Sequence, residues 1–143
     1  MLASNWMARD KVRTLSDRQK LILISALTRT SAAGVAQVGQ EELAWIVGNG
    51  CTSADVQAVL EAGQKLGLVE YDSQTAEVFF IDFFRFEKFF GKGWAILQKA
   101  VDKIESAQIR RKVDQARPAR PIDDQKPEQP SASRPRVNIP VLN

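Results

Sequence analysis

Residues 53–86 read SADVQAVLEAGQKLGLVEYDSQTAEVFFIDFFRF. The stretch predicts a helix, a glycine stop and two strands around a turn. Val56, Val59, Leu60, Gly63 and Leu66 recur at helical spacing, so one stripe of the helix faces a core. Thr52 and Ser53 offer N-cap hydroxyls, and Asp55 falls in the first turn, where a negative charge suits the helix dipole. Gly67 follows Leu66 where a helix ends in a left-handed cap. Leu68, Val69 and Tyr71 then suit a strand. Asp72-Ser73-Gln74-Thr75 is turn chemistry, and Val78 to Ile81 suit a second strand.

Upstream, Ser16-Asp17-Arg18-Gln19 is a capping-box pattern that opens a helix. Leu21 to Ile24, Ala26 and Leu27 make that helix largely buried, and it fades near Thr30. Val35, Ala36 and Val38 form a short strand able to pair with the hairpin. Gln40 to Val47 is a second helix, with Leu43, Ile46 and Val47 on one face. Trp45 points about 160° away from Leu43 by the 100° step of a helix, so it is either an exposed anchor or covered by another segment. Gly48-Asn49-Gly50 is a turn between helices. It is not a phosphate loop, because no lysine follows and no strand leads in. Helix, turn, helix and hairpin in this order make a winged helix-turn-helix. In helix-turn-helix proteins the second helix of the pair docks in the DNA major groove.

All seven phenylalanines lie between Phe79 and Phe90. Val78-Phe79-Phe80-Ile81 does not alternate, so both faces of that strand lose water. The expected cover is the next helix or a second copy of the chain, which makes a homo-oligomer an expectation. Gly91-Lys92-Gly93 reads as a hinge. From Trp94 a long helix carries Trp94, Leu97, Val101 and Ile104 on one stripe. It weakens at Glu105-Ser106-Ala107, and a second piece covers Gln108 to Gln115. Residues 1–14, with Trp6, Arg9, Lys11 and Arg13, read as an extended arm; either Trp6 packs on the domain or the arm lies on phosphates. All six prolines fall between Pro118 and Pro140. That tail cannot bury enough apolar surface to offset its chain entropy, so disorder is expected. Its closing Val137 to Leu142 is more apolar, a docking motif or a stretch without a role.

The expected fold class is therefore mainly α with a small β-hairpin (α+β). A winged-helix domain spans 15–90, a helical extension 91–116 and a Pro-rich tail 117–143. No apolar run reaches eighteen residues, so no transmembrane span is expected, and residues 1–15 lack the order of a signal peptide. A cytoplasmic location follows as an expectation. The single cysteine, Cys51, excludes an internal disulfide and a cysteine-built zinc site. The chain has no histidine, which removes the commonest metal ligand and general base. Neither an enzyme, a cofactor nor a metal is expected. Asp82 and Glu87 are available as paired carboxylates, but acids near a hairpin are far more often solvated or salt-bridged. The net charge of +3 agrees with nucleic-acid binding without requiring it.

The order of a basic arm, LSDRQKLILISALTRT, EELAWIVG, the VQAVLEAGQKLGLVEYDSQTAEVFFIDFFRF block and a helix ending KIESAQIR resembles the N-terminal domain of phage-type replication-initiation proteins, the replisome organisers. The resemblance covers about residues 5–113, and GLVEYDSQTAEVFFIDFFRF with the following helix is its most specific part. It implies binding to origin DNA, recruitment of replication proteins and, for a phage protein, the cytoplasm of a bacterial host.

On the residues themselves, double-stranded DNA is the expected partner. The core stripe leaves Ala54, Gln57, Ala58, Glu61 and Lys65 outward, and Ser53, at the helix start, is taken with Ala54, Gln57 and Lys65 as a DNA-contacting residue. Gln57 suits adenine in the major groove. Glu61 cancels Lys65, so this face lacks attraction for phosphate. Affinity would come from Arg9, Lys11 and Arg13, from Arg85, Lys88 and Lys92, and from Arg110, Arg111 and Lys112; the last three also suit a solvated helix end. A winged-helix protein-interaction module and a transcription regulator are the alternatives.

Overall fold

Ser16 and Thr52 each begin a helix by the same reciprocal bond pair. The Ser16 hydroxyl accepts the Gln19 N–H at 3.2 Å, and the Gln19 side chain accepts the Ser16 N–H at 2.9 Å. Thr52 and Asp55 do the same at 3.2 and 3.0 Å. Each box satisfies two otherwise unpaired donors at a helix start, and the cap alone is worth about 1 kcal/mol. The computed structural model describes Trp6, residues 9–86 and residues 92–118. Its elements are α1 (Asp10–Arg13), α2 (Asp17–Leu27), β1 (Val35–Gln37), α3 (Gln40–Val47), α4 (Ser53–Lys65), β2 (Val69–Asp72), β3 (Glu77–Phe80), α5 (Phe83–Phe86), α6 (Lys92–Asp102) and α7 (Ala107–Ala116). Among the described residues the chain is mainly helical, with one small antiparallel sheet.

The sheet runs in the order β1–β3–β2. Val35 pairs with Phe79 and Gln37 with Glu77 on one side of β3; Val69 pairs with Phe80 and Asp72 with Glu77 on the other. Ile22, Leu23, Leu43, Val56 and Leu60 form the helical side of the core. Gly63 lets α4 approach the sheet, since a Cβ there would stand 3.1 Å from a Val69 methyl. Between α3 and α4 three successive residues, Gly48, Asn49 and Gly50, adopt positive φ. Glycine accepts that conformation freely and asparagine at modest cost.

All four β3 residues are buried, as their lack of alternation predicts. The cover comes from within the chain: Trp6 meets Phe80 edge-on at 5.7 Å, Phe84 meets Phe79 at 6.3 Å, and α7 lies against β2 and β3. Leu97, Val101, Ile104, Ile109 and Val113 are all buried and belong to the same core cluster. The sheet thus packs on α4 through β2 and on α7 through β2 and β3. Of the phenylalanines offered as a reason for self-association, Phe79, Phe80 and Phe83 are buried within the chain and Phe84 is half-buried, while the side chains of Phe86, Phe89 and Phe90 lie outside the described residues.

Two local expectations change. Residues 9–14 are not extended: Arg9 to Thr14 make a helical turn, with Val12 fully buried. Trp6 is 2% exposed, so packing decides its role. Gly93 lies inside α6 rather than in a hinge; Gly91 is outside the described residues. The expected disorder of the tail concerns residues that lie, beyond Pro118, outside the described residues.

Candidate nucleic-acid interface

Burying Val56, Val59, Leu60 and Gly63 turns the opposite side of α4 outward. Ala54, Ala58, Glu61 and Lys65 are on that side, while Ser53 and Gln57 are half-buried. The Gln57 amide is already engaged at both ends. Its oxygen accepts from the Gln40 side chain, and its nitrogen donates to Glu61 at 2.6 Å. Gln40 also donates to the Tyr71 hydroxyl at 2.7 Å. Gln57 is thus built into a network joining α3, α4 and β2, unlike the free side chain expected of a base reader.

The start of α4 is clamped by Arg18. Its guanidinium pairs with Asp55 at 3.3 Å and donates to the Asn49 carbonyl. The Thr52 backbone N–H, the Thr52 hydroxyl and the Arg18 charge hold the Asp55 carboxyl below its ordinary value, against a smaller opposing effect of desolvation. At the other end, the Lys11 ammonium reaches Gly67, and Lys65 sits in the last turn. Both cations suit the negative end of the helix.

The remaining predicted cations divide by their partners. Arg9 pairs with Asp82, both about four-fifths buried. Arg110 donates to the Asp102 and Ile104 carbonyls at 3.1 and 2.7 Å, so it caps the C-terminal end of α6. Arg13, Arg85, Arg111 and Lys112 are exposed. Lys88 and the side chain of Lys92 lie outside the described residues.

The hairpin carries acid rather than base. Glu77 is 2% exposed, and its two oxygens accept the Glu105 and Ser106 backbone N–H groups at 2.9 and 2.7 Å. Gln108 donates to Glu70. The Ser106 hydroxyl and the Gln74 N–H hold Asp72 below its ordinary value. Three hairpin carboxylates therefore receive the positive N-terminal end of α7. This latch places β2 between α4, which it meets through Gln64 and the Tyr71 N–H at 3.1 Å, and α7. Lys65 and the Arg111–Lys112 pair lie on the two helices that flank one strand.

Arg18, Gln40 and Tyr71 were not singled out from the sequence. Their partners are 37, 17 and 31 residues away, and no local spacing encodes such pairs. Trp45 is 84% exposed and Leu21 47%, which decides the question about Trp45 in favour of exposure. No helix among the described residues is long and apolar enough to cross a membrane. Comparison with known proteins found no matching family, no matching curated relative and no matching solved structure.

Proposed function

We propose that the 15–86 region is a winged helix-turn-helix and that the chain binds duplex DNA in replication initiation, with the outward side of α4 in the major groove. The observation that carries this reading is the element order α2–β1–α3–α4–β2–β3 with sheet order β1–β3–β2, which leaves α4 bare on one side only. Ala54 and Ala58 are small enough for close approach and suit contact with a thymine methyl. Gln57 reads a base only by exchanging its bonds to Gln40 and Glu61. Since α4 and the hairpin supply little net positive charge, Arg13, Arg85, Arg111 and Lys112 provide the phosphate contacts.

Titration of random duplex, candidate origin duplex and single-stranded DNA at two salt concentrations tests this. The wild type should prefer duplex, with affinity falling steeply as salt rises. Arg111→Ala with Lys112→Ala should weaken all sequences alike and flatten the slope by about one unit for each phosphate no longer neutralised. No binding to any DNA at low salt would overturn the proposal.

A second reading, a winged-helix module that binds protein or a regulator of transcription, is favoured by Trp45. An indole 84% exposed on α3, beside a helix whose outward side chains sum to no charge, suits an apolar partner. In the initiation reading the same indole is available to the replication proteins that the initiator recruits.

A further inference from the structure

On the side of the molecule formed by β1 and α6 a groove of about 540 Å³ is lined by Arg29, Val35, Ile96, Lys99, Lys103 and Ile104, among others. One wall is the loop after α2 together with β1, an edge strand; the other is α6. Buried Val35 and Ile104 make the floor apolar except at Glu77. Ile96 is 59% exposed, so the groove presents a large aliphatic side chain to water beside a half-buried Ala100. The rim is cationic. Lys99 and Lys103 are exposed one helical turn apart and form no ion pair with the described residues. Arg29 stands on the opposite wall with only a loose contact to Glu42, at 3.7 Å. Glu77 also lines the groove, with both its oxygens accepting backbone N–H groups, so the lining sets three cations against one buried carboxylate and stays net positive.

An apolar floor between cations on two walls selects a ligand that is apolar along its middle and anionic on both flanks. A DNA backbone matches the charge but has no use for Ile96. A neutral apolar segment matches the floor but leaves Lys99 and Lys103 unanswered. The edge strand β1 is three residues long and its Val35 carbonyl already accepts the Ser31 N–H at 2.9 Å, so the side chains of the two walls, rather than an added strand, hold the ligand. We infer that the groove docks a short segment of a partner protein in which aliphatic anchors are flanked by aspartate or glutamate. This site is separate from α4, so the chain can hold duplex DNA and a protein together.

Fluorescence anisotropy with the full chain tests the inference. The probes are three labelled twelve-residue peptides: leucines with aspartates and glutamates, the same leucines with lysines, and the same leucines with serines. The acidic peptide should bind, the lysine peptide should not, and the serine peptide should bind at least tenfold more weakly. Lys99→Glu with Lys103→Glu, and separately Ile96→Ser, should each reduce acidic-peptide affinity about tenfold while the melting temperature stays near that of the wild type. Equal binding of all three peptides, or indifference to both variants, would overturn the inference. So would displacement of the peptide by duplex DNA whose own affinity falls in the double lysine variant but not in Ile96→Ser, because the groove would then be a phosphate surface. Peptide binding that appears only in Asp123→Lys with Asp124→Lys would assign the groove to the chain's own tail and overturn the partner assignment. Failure of DNA binding leaves these outcomes unchanged.

Discussion

Gly34 shows how much a single residue can carry here. Its φ is +75°, and a Cβ would stand 2.4 Å from Phe83 Cγ. Left-handed backbone costs an L-residue about 1–2 kcal/mol, and forcing an atom into a filled site adds about 1–3. Gly34→Ala should therefore lower unfolding free energy by roughly 2–5 kcal/mol in chemical denaturation. Gly50 has φ +76° but open space where its Cβ would go, so Gly50→Ala should cost only the backbone part, about 1–2 kcal/mol. Equal losses would show that Phe83 yields freely. Asp55 and Asp72 give a second residue-scale outcome. Both have folded pKa values below the ordinary 3.8, so each favours the folded state while ionised. That contribution is complete above the unfolded value and is lost as pH falls through the lowered folded value. Melting temperature should hold from neutrality to about pH 4 and fall below it, and Asp55→Asn with Asp72→Asn should shrink that acid limb.

At the scale of elements, the junction of α7 with the hairpin is the most exposed to a single change. Ile109 and Val113 supply its apolar contact, and Glu77 supplies its polar one. Glu77→Ala leaves two N–H groups in a buried setting without their acceptor, at about 1–3 kcal/mol for each unsatisfied group. Amide exchange should then quicken across 107–116 and stay slow in α2 and α4. Uniform acceleration over the whole chain would mean that α7 and the core unfold together. Leu97 and Val101, by contrast, are 0% and 3% exposed. Replacing them with lysine should undock α6 and lower the melting temperature, because two unpaired charges cannot be buried there. The same substitutions would yield a well-folded monomer only if those side chains lay between copies.

For the whole molecule, charge decides the outcome. The outward side of α4 is neutral and the hairpin acids are directed at α7, so phosphate attraction must come from cations at the periphery. Arg110 is committed to the carbonyls at the end of α6. Arg110→Ala should consequently change the melting temperature and leave the salt slope of DNA binding nearly intact. Arg111→Ala with Lys112→Ala should do the reverse. The comparison separates cations that hold the fold from cations that meet phosphate, although all three are adjacent in the chain.

Local chemistry determined most of the elements. The Ser16–Gln19 and Thr52–Asp55 boxes, the Gly67 cap and the turn at Gly48 to Gly50 each act within a few residues, so spacing alone located α2, α4 and the turns. The strands were legible to within one residue, because β-branched and aromatic runs end where turn residues begin. The break between α6 and α7 was legible as a failure of the apolar stripe. The candidate site was less so. Sequence identified the outward positions of α4, since burial of one helical stripe exposes the other. It could not reveal that Gln57 is shared between Gln40 and Glu61, that Arg9 faces Asp82, or that Arg110 caps another helix. Those pairings depend on how elements pack, and only packing brings their partners within bonding distance. The cover over the phenylalanine strand was decided the same way. Its composition required cover on both faces, and tertiary structure chose Trp6, α5 and α7 because their apolar sides had no other surface to bury against.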